Sequence, residues 1–479
     1  LGDVYKRQIY SLIRLHSMIC TIATIIILKT KCVRYLQYFF LYFYQIIRGE
    51  IMKVFKKVLS ALSAFTLVFV LASCGGQTAQ NPAPAGGNST DTKKSDAAAY
   101  HIGIVTGTVA QSEDEFRAGQ KAIEMYGDAK SGGMIVHDTY PDNFMAEQDT
   151  TISKIVAMAD DPLMKAVIVN QSVPGTVAAF KQIREKNPDI KLILLTPQED
   201  VAMAEEAADL VIDADNISRG YRIIAAAQKM GAKKFVHISF PRHMSIETLA
   251  LRRAIMEEAA KDLGIEFIAE TSQDPMSDAG IPGAQQFIAE NIPNWIKKYG
   301  KDTAFFCTND AQTEPLLRGI ASGGAIFVEQ DLPSPIMGYP GAFSIDLKDV
   351  AGDWQAINKK VEEKVVAAGG KDRMGTWAYS LGYSEVLGAV DLAKDVLDGK
   401  KELTKIEDVK SAIAKYTEGA NWMGSYYVDR ASGEKKENHI LVAQDDYIYG
   451  KGYLGMDKVE VPEKYLTMNI DLKKIQSEK

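Results

Sequence analysis

The side chains that could do chemistry in this 479-residue chain stand just behind short apolar runs. Asn170, Gln171 and Ser172 end one such run. Phe240, Arg242 and His243 follow another, and Asn309 and Asp310 follow a third. Ser112 and Glu113 close the stretch 106–113, and Tyr140 stands in the stretch 139–143. Hydroxyls, amides, a few carboxylates and isolated aromatics can surround a neutral polar molecule with hydrogen bonds and stack on a flat face.

Each of these residues also has a plainer role. Asn309 and Asp310 could contact a ligand or cap the helix that follows. Arg242 and His243 could bind an anionic group or form a solvated turn. Tyr140 and Phe240 could stack on a ligand or pack against the next helix. Asp215 and Asn216 read as cap and hinge residues. Cys307, at the end of an apolar run, reads as core.

Signatures of catalysis are missing. Thr106-Gly107-Thr108 is not the Gly-x-Gly-x-x-Gly dinucleotide fingerprint, and neither a phosphate loop nor a Gly-x-Ser-x-Gly elbow occurs. The six histidines are not in metal-site spacing, and Asp213-x-Asp215-Asn216 lacks the rest of a calcium loop. The expectation is a protein without catalytic residues, cofactor or metal.

The stretch Met52–Cys74 gives an address. Three lysines near its start precede an apolar run over 58–70, and Leu71-Ala72-Ser73-Cys74 follows. This pattern is an export signal, and its end resembles the bacterial lipoprotein box, in which the cysteine becomes the lipid-bearing first residue. Residues 52–73 are then the signal, Cys74 the lipidation site, and the Gly/Ala/Pro/Ser-rich stretch 74–99 a flexible tether. Residues 1–51, which begin with Leu1 and hold two apolar stretches, read as upstream translation; the alternative is a pair of membrane segments.

Charge narrows the class further. Ten of the 55 Lys/Arg and two of the 62 Asp/Glu precede Cys74, so the remainder carries a formal charge near −15. That opposes nucleic-acid binding, which needs a basic footprint. Of four cysteines, Cys20, Cys32, Cys74 and Cys307, only Cys307 lies beyond the signal and lipidation site, so no disulfide framework is expected.

The candidate residues need elements to hold them. Strands are expected at 101–105, 134–138, 166–170, 191–195 and 210–212. Helices are expected between them at 113–126, 144–159, 174–185 and 201–207. The strands are nearly continuous apolar runs, as parallel strands buried on both faces require. The alternation restarts with helix 217–230, strand 234–239, helix 245–263, strand 266–270, helix 283–299, strand 304–307 and helix 314–321. Strands at 325–328 and 335–338 follow. Helices 349–367, 375–397 and 406–416 come next, then a hairpin of 425–429 with 439–444 and a wrapping tail. The fold class is α/β with two doubly wound parallel-sheet lobes joined by a hinge. Residues 100–215 form the N-terminal lobe and 216–341 the C-terminal lobe, with 342–479 completing both.

Three stretches carry a family likeness. Leu210-Val-Ile-Asp-Ala-Asp-Asn-Ile-Ser-Arg-Gly-Tyr221, Ala304-Phe-Phe-Cys-Thr-Asn-Asp310 and Ile336-Met-Gly-Tyr339 occur in family order. Over about residues 100–341 the chain resembles the type I periplasmic binding proteins. It looks closer to a little-characterised lipoprotein branch than to the sugar binders, which usually have Asp where Pro340 and Gly341 follow the Gly-aromatic pair. The resemblance implies an extracytoplasmic clamp that closes on a small polar ligand and delivers it to the membrane permease of an ABC importer. A sensor partnering a membrane receptor is the alternative within the same fold, and an exported hydrolase or reductase the alternative of another class. Ligands of open parallel sheets bind beyond the carboxyl ends of the strands. That rule selects 106–113, 139–143, 170–172 and 196–198 in the first lobe, and 240–243, 271–274 and 308–310 in the second.

Overall fold

The computed structural model describes residues 98–430 and 432–470. Residues 1–51, the signal 52–73, Cys74 and nearly all of the tether lie outside the described residues.

Apolar runs of five to seven residues build the first sheet. Its strands are β1 (His101–Thr106), β2 (Ile135–Thr139), β3 (Met164–Asn170), β4 (Lys191–Leu195) and β5 (Leu210–Ala214). They lie in the order β5-β4-β3-β1-β2, with every neighbouring pair parallel. Side chains alternate strictly between the two faces. Ile102, Ile104, Ile168, Ile193 and Leu195 pack with helices Glu113–Tyr126, Leu381–Leu397 and Ile406–Ala414. Val105, Val167, Val169, Leu192 and Leu194 pack with helices Gln148–Ala157, Thr176–Lys186 and Val201–Ala207. Two apolar faces explain why the strand sequences show no polar alternation.

The second sheet is built the same way. Strands β6 (Lys234–Ser239), β7 (Glu266–Thr271) and β8 (Thr303–Cys307) are parallel in the order β7-β6-β8. Phe235, Ala304 and Phe306 face helices Asn216–Lys229 and Glu247–Asp262. Val236, Ile238, Phe305 and Cys307 face helices Gly280–Tyr299, Thr313–Gly323 and Trp354–Ala367. Bridges Ala304–Ile326 and Phe327–Met374 carry the pairing on toward a short ribbon. That ribbon contains β9 (Gly375–Trp377).

Later segments complete both lobes. The expected hairpin is β10 (Met423–Val428) with β11 (Lys435–Ala443), antiparallel. Strand β11 then adds to β5 in parallel and extends the first sheet. Strands β12 (Asp446–Ile448) and β13 (Gly452–Tyr453) pair antiparallel beside β9 in the second lobe. The tail continues onto that lobe, where Tyr465 stacks on Tyr221 at 5.0 Å.

The chain therefore passes between the sheets three times, at 215–216, 378–380 and 444–445. Two doubly wound parallel-sheet lobes joined by three crossings are the type I periplasmic binding protein fold. At the first crossing the Asp215 carboxylate accepts from Ser218 N at 2.9 Å and caps helix Asn216–Lys229. Gly220 follows because a β-carbon there would stand 2.8 Å from Ile255, inside the contact with the next helix.

Residues 325–328 make only the isolated bridges Ala304–Ile326 and Phe327–Met374 and no strand, and three further local expectations change. Residues 335–338 form a turn, not a strand; Gly338 takes φ 78°, and a β-carbon on it would meet Thr313 at 2.7 Å. Residues 375–377 are strand β9, and the helix begins only at Leu381, after Ser380 caps it. The helix expected from 349 starts at Trp354 behind the Asp353 cap. In each case a turn or cap residue broke a run that hydrophobic periodicity alone would have continued.

Candidate ligand-binding cleft

A cleft of about 1200 Å³ is lined by residues of both lobes at the carboxyl ends of their strands. Ser112, Asp114, Gln171, Thr196 and Asp213 come from the first lobe. Asn216 comes from the crossing, and Arg242, Arg252, Asn309, Asp310 and Asp331 come from the second lobe.

The first-lobe floor is made by the ends of β3 and β4. Gln171 and Thr196 have φ 53° and 46°, with Ser172 at 20°. The left-handed region is unfavourable for a β-branched residue such as Thr196, and such strain persists only where its surroundings impose it. Here it aims side chains at two buried carboxyls. Gln171 Nε2 donates to Glu115 Oε1 at 2.8 Å, and Thr196 Oγ1 donates to Glu385 Oε2 at 2.9 Å. Gln198 Nε2 donates to Gln171 Oε1 at 3.2 Å and fixes that amide. The remaining oxygens, Glu115 Oε2 and Glu385 Oε1, and also Asn170 Oδ1, are buried without a partner among the described residues.

Burial sets the protonation of these groups. Desolvation pushes Glu115 up to about 8 and Glu385 well above the usual carboxylate range. Asp213 rises to about 6, also through burial, against the pull of His439. Asp114 is raised by burial although Ser334 and Ser380 hydrogen-bond to it. Across the cleft, burial and then the Asp331 charge raise Asp310 well above the usual range.

A buried ionic cluster runs from the cleft lining, where Asn216, Arg252 and Asp331 stand, to the residues behind it. Arg219 Nε donates to Glu329 Oε1 at 2.8 Å, and its Nη2 donates to the carbonyls of Gln330 and Asp331 at 2.9 Å each. The same guanidinium sits over Trp377 at 5.3 Å. Arg252 donates to Asn216 Oδ1 at 2.7 Å and pairs with Asp331. Burial, and then the Glu329 carboxylate, push Asp446 well above the usual carboxylate range.

The expected contact residues divide. Ser112, Glu113, Gln171, Arg242, Asn309 and Asp310 line the cleft. Arg242 is already engaged, with Nε and Nη2 donating to Asp274 at 2.8 and 3.0 Å. Asn309 also accepts from Ala311 N at 3.1 Å, so it caps as well as lines. Asn170 and Ser172 are buried beneath the surface; Ser172 Oγ donates to the carbonyls of Val169 and Leu195. Tyr140 and Phe240 are each 1% exposed. Tyr140 packs edge-on to Phe144 at 5.9 Å, and Phe240 packs on His243 at 4.2 Å, so both belong to the core. Asp215 caps and Asn216 anchors Arg252, both at the crossing. Asp114, Glu115, Arg252, Asp331 and Glu385 were missed. They sit on helices and in loops where the periodic pattern offers no site signal, and their partners are far away in sequence.

Residues 100–375 match the family model described as protein of unknown function, DUF3798. The chain belongs to that family. Two uncharacterised proteins of Treponema pallidum (strain Nichols) are similar to it. One is 38% identical over 214 residues, 45% of this chain and 97% of its own length. The other is 42% identical over 208 residues, 43% of this chain and 90% of its own length. Among solved structures, a "putative transcriptional regulator" from Clostridium difficile 630 matches at a TM-score of 0.61 and 23% identity. The match covers 73% of this chain and 99% of that one. At that identity the match speaks to the fold alone. Among the described residues, no helix is long and apolar enough to cross a membrane.

Proposed function

We propose that this DUF3798 protein is an extracytoplasmic solute-binding clamp, anchored through a lipid on Cys74, that delivers a small polar ligand to the permease of an ABC importer. The cleft carries the reading: polar side chains at the carboxyl ends of two parallel sheets face each other across three crossings. Such lobes can approach by bending at a few residues near the crossings. The strained Gln171 and Thr196 in the floor support a binding role, because strain of this kind gathers at ligand sites. The lipoprotein-like Leu71–Cys74 supports the anchor and the location.

The test is small-angle scattering on protein purified natively and again after stripping by unfolding and refolding. The native sample should have the smaller radius of gyration, and the stripped molecule, returned, should restore it. Identical radii, with no small molecule released on unfolding, would remove the clamp reading.

A further inference from the structure

We infer that Met276 and Phe144 form a clasp across the mouth of the cleft that holds the two lobes together; this rests on the clamp reading above. Met276 belongs to the second lobe, in the loop after β7. It packs nonetheless against a first-lobe cluster, whose buried members all lie between Val105 and Val211 and include Tyr140 and Phe144. Of those buried members only Phe144 lines the cleft, and Met276 lines it too. Phe144 is then the face on which Met276 rests.

Topology puts this contact far from the crossings. Strand β2, which leads into Tyr140 and Phe144, is an edge strand of the first sheet. Strands β1, β3 and β4 separate it from β5, where the first crossing leaves. Strand β7, which leads into Met276, is an edge strand of the second lobe's parallel sheet. Strands β6 and β8 stand between it and the bridges that run toward β9, where the second crossing leaves. Bending at the crossings moves these far edges most, so a contact there has the greatest leverage over closure.

Both sides of the clasp are braced. Arg242 holds Asp274 through two hydrogen bonds, and Asp274 Oδ1 also accepts from Met276 N at 2.9 Å. Gln312 Nε2 donates to the carbonyl of Gln273 at 2.9 Å. The loop therefore presents the Met276 side chain from a fixed backbone. On the other side, Gln111 Nε2 donates to the Asp142 carbonyl at 2.5 Å, and Thr108 Oγ1 donates to the Asp142 carboxylate. Tyr140 stands edge-on to Phe144 at 5.9 Å and backs it. A thioether suits such a joint, because it is apolar, flexible and favourable against an aromatic ring. Arg242, expected as a ligand contact, serves the clasp through Asp274.

The test compares the parent with Met276→Asp and Met276→Leu, each purified natively and not stripped. Deuterium uptake over residues 139–147 and small-angle scattering are the two readouts. Met276→Asp should exchange that segment about tenfold faster than the parent. Its radius of gyration should move from that of the native parent toward that of the stripped parent. Met276→Leu should match the parent in both. Circular dichroism of Met276→Asp should equal that of the parent, since Met276 is outside the second-lobe clusters. A Met276→Asp protein with the parent's exchange and radius would overturn the clasp and leave the clamp. Faster exchange at an unchanged radius would also overturn it, because the contact would then not hold the lobes. Equal radii for native and stripped parent would remove the clamp itself, and the clasp with it.

Discussion

Thr196 Oγ1 donates to Glu385 Oε2 at 2.9 Å, across 189 residues of sequence. The bond joins the end of strand β4 to the helix that re-enters the first lobe at Leu381. It is made from a left-handed threonine, so the backbone is strained to reach a carboxyl that is fully buried.

Removing that hydroxyl should destabilise the fold. Thr196→Val keeps the shape and leaves the Glu385 oxygen without its donor, at a loss of about 1–3 kcal/mol. Thr196→Ser keeps the donor and relaxes the β-branch, so it should stay within about 1 kcal/mol of the parent. Urea unfolding of the two variants reads the difference. Equal stability would mean the bond contributes nothing.

Glu115 should make the ligand-free protein less stable as pH rises. Its carboxyl is pushed up to about 8 from 4.5 by burial. Between those values the folded state holds the proton and the unfolded state has lost it. Stability from this group is therefore present below pH 4.5 and declines toward pH 8, by about 1.4 kcal/mol per pH unit at most. Glu115→Gln should flatten that part of the profile, measured as denaturation midpoints from pH 5 to 8. An unchanged slope would show that Glu115 is not the group responsible.

The Arg219–Glu329 pair should be costly to break from one side. Both side chains are almost fully buried, at 3% and 2% exposure. Arg219→Met strands Glu329 beside Asp446 and should destabilise by about 3–5 kcal/mol. Glu329→Gln added to it should recover part of the loss. Simple additivity of the two changes in a double-mutant cycle would deny the coupling.

Cys307 should resist thiol reagents in the native state. It is 1% exposed, and burial pushes its thiol up to about 12. Iodoacetamide should label it only after denaturant unfolds the second lobe, as read by peptide mass spectrometry at that position. Fast labelling under native conditions would mean that strand β8 opens readily.

The sequence alone determined the two-lobed parallel architecture, because strands buried on both faces must be apolar at every position. Ala166-Val-Ile-Val169 and Leu192-Ile-Leu-Leu195 could hardly do otherwise. It also marked the strand ends, so Gln171, Asn309 and Asp310 were found where the cleft is. It misplaced Tyr140 and Phe240, because an aromatic after a strand reads the same whether it turns to the cleft or into the core. The tertiary structure decided which acids meet. Asp114, Glu115, Asp213, Asp310 and Glu385 are spread over more than 270 residues and share no periodic signal. Periodicity reports which face is buried, whereas the convergence of five carboxyls depends on how crossings and loop ends bring separate segments to one place.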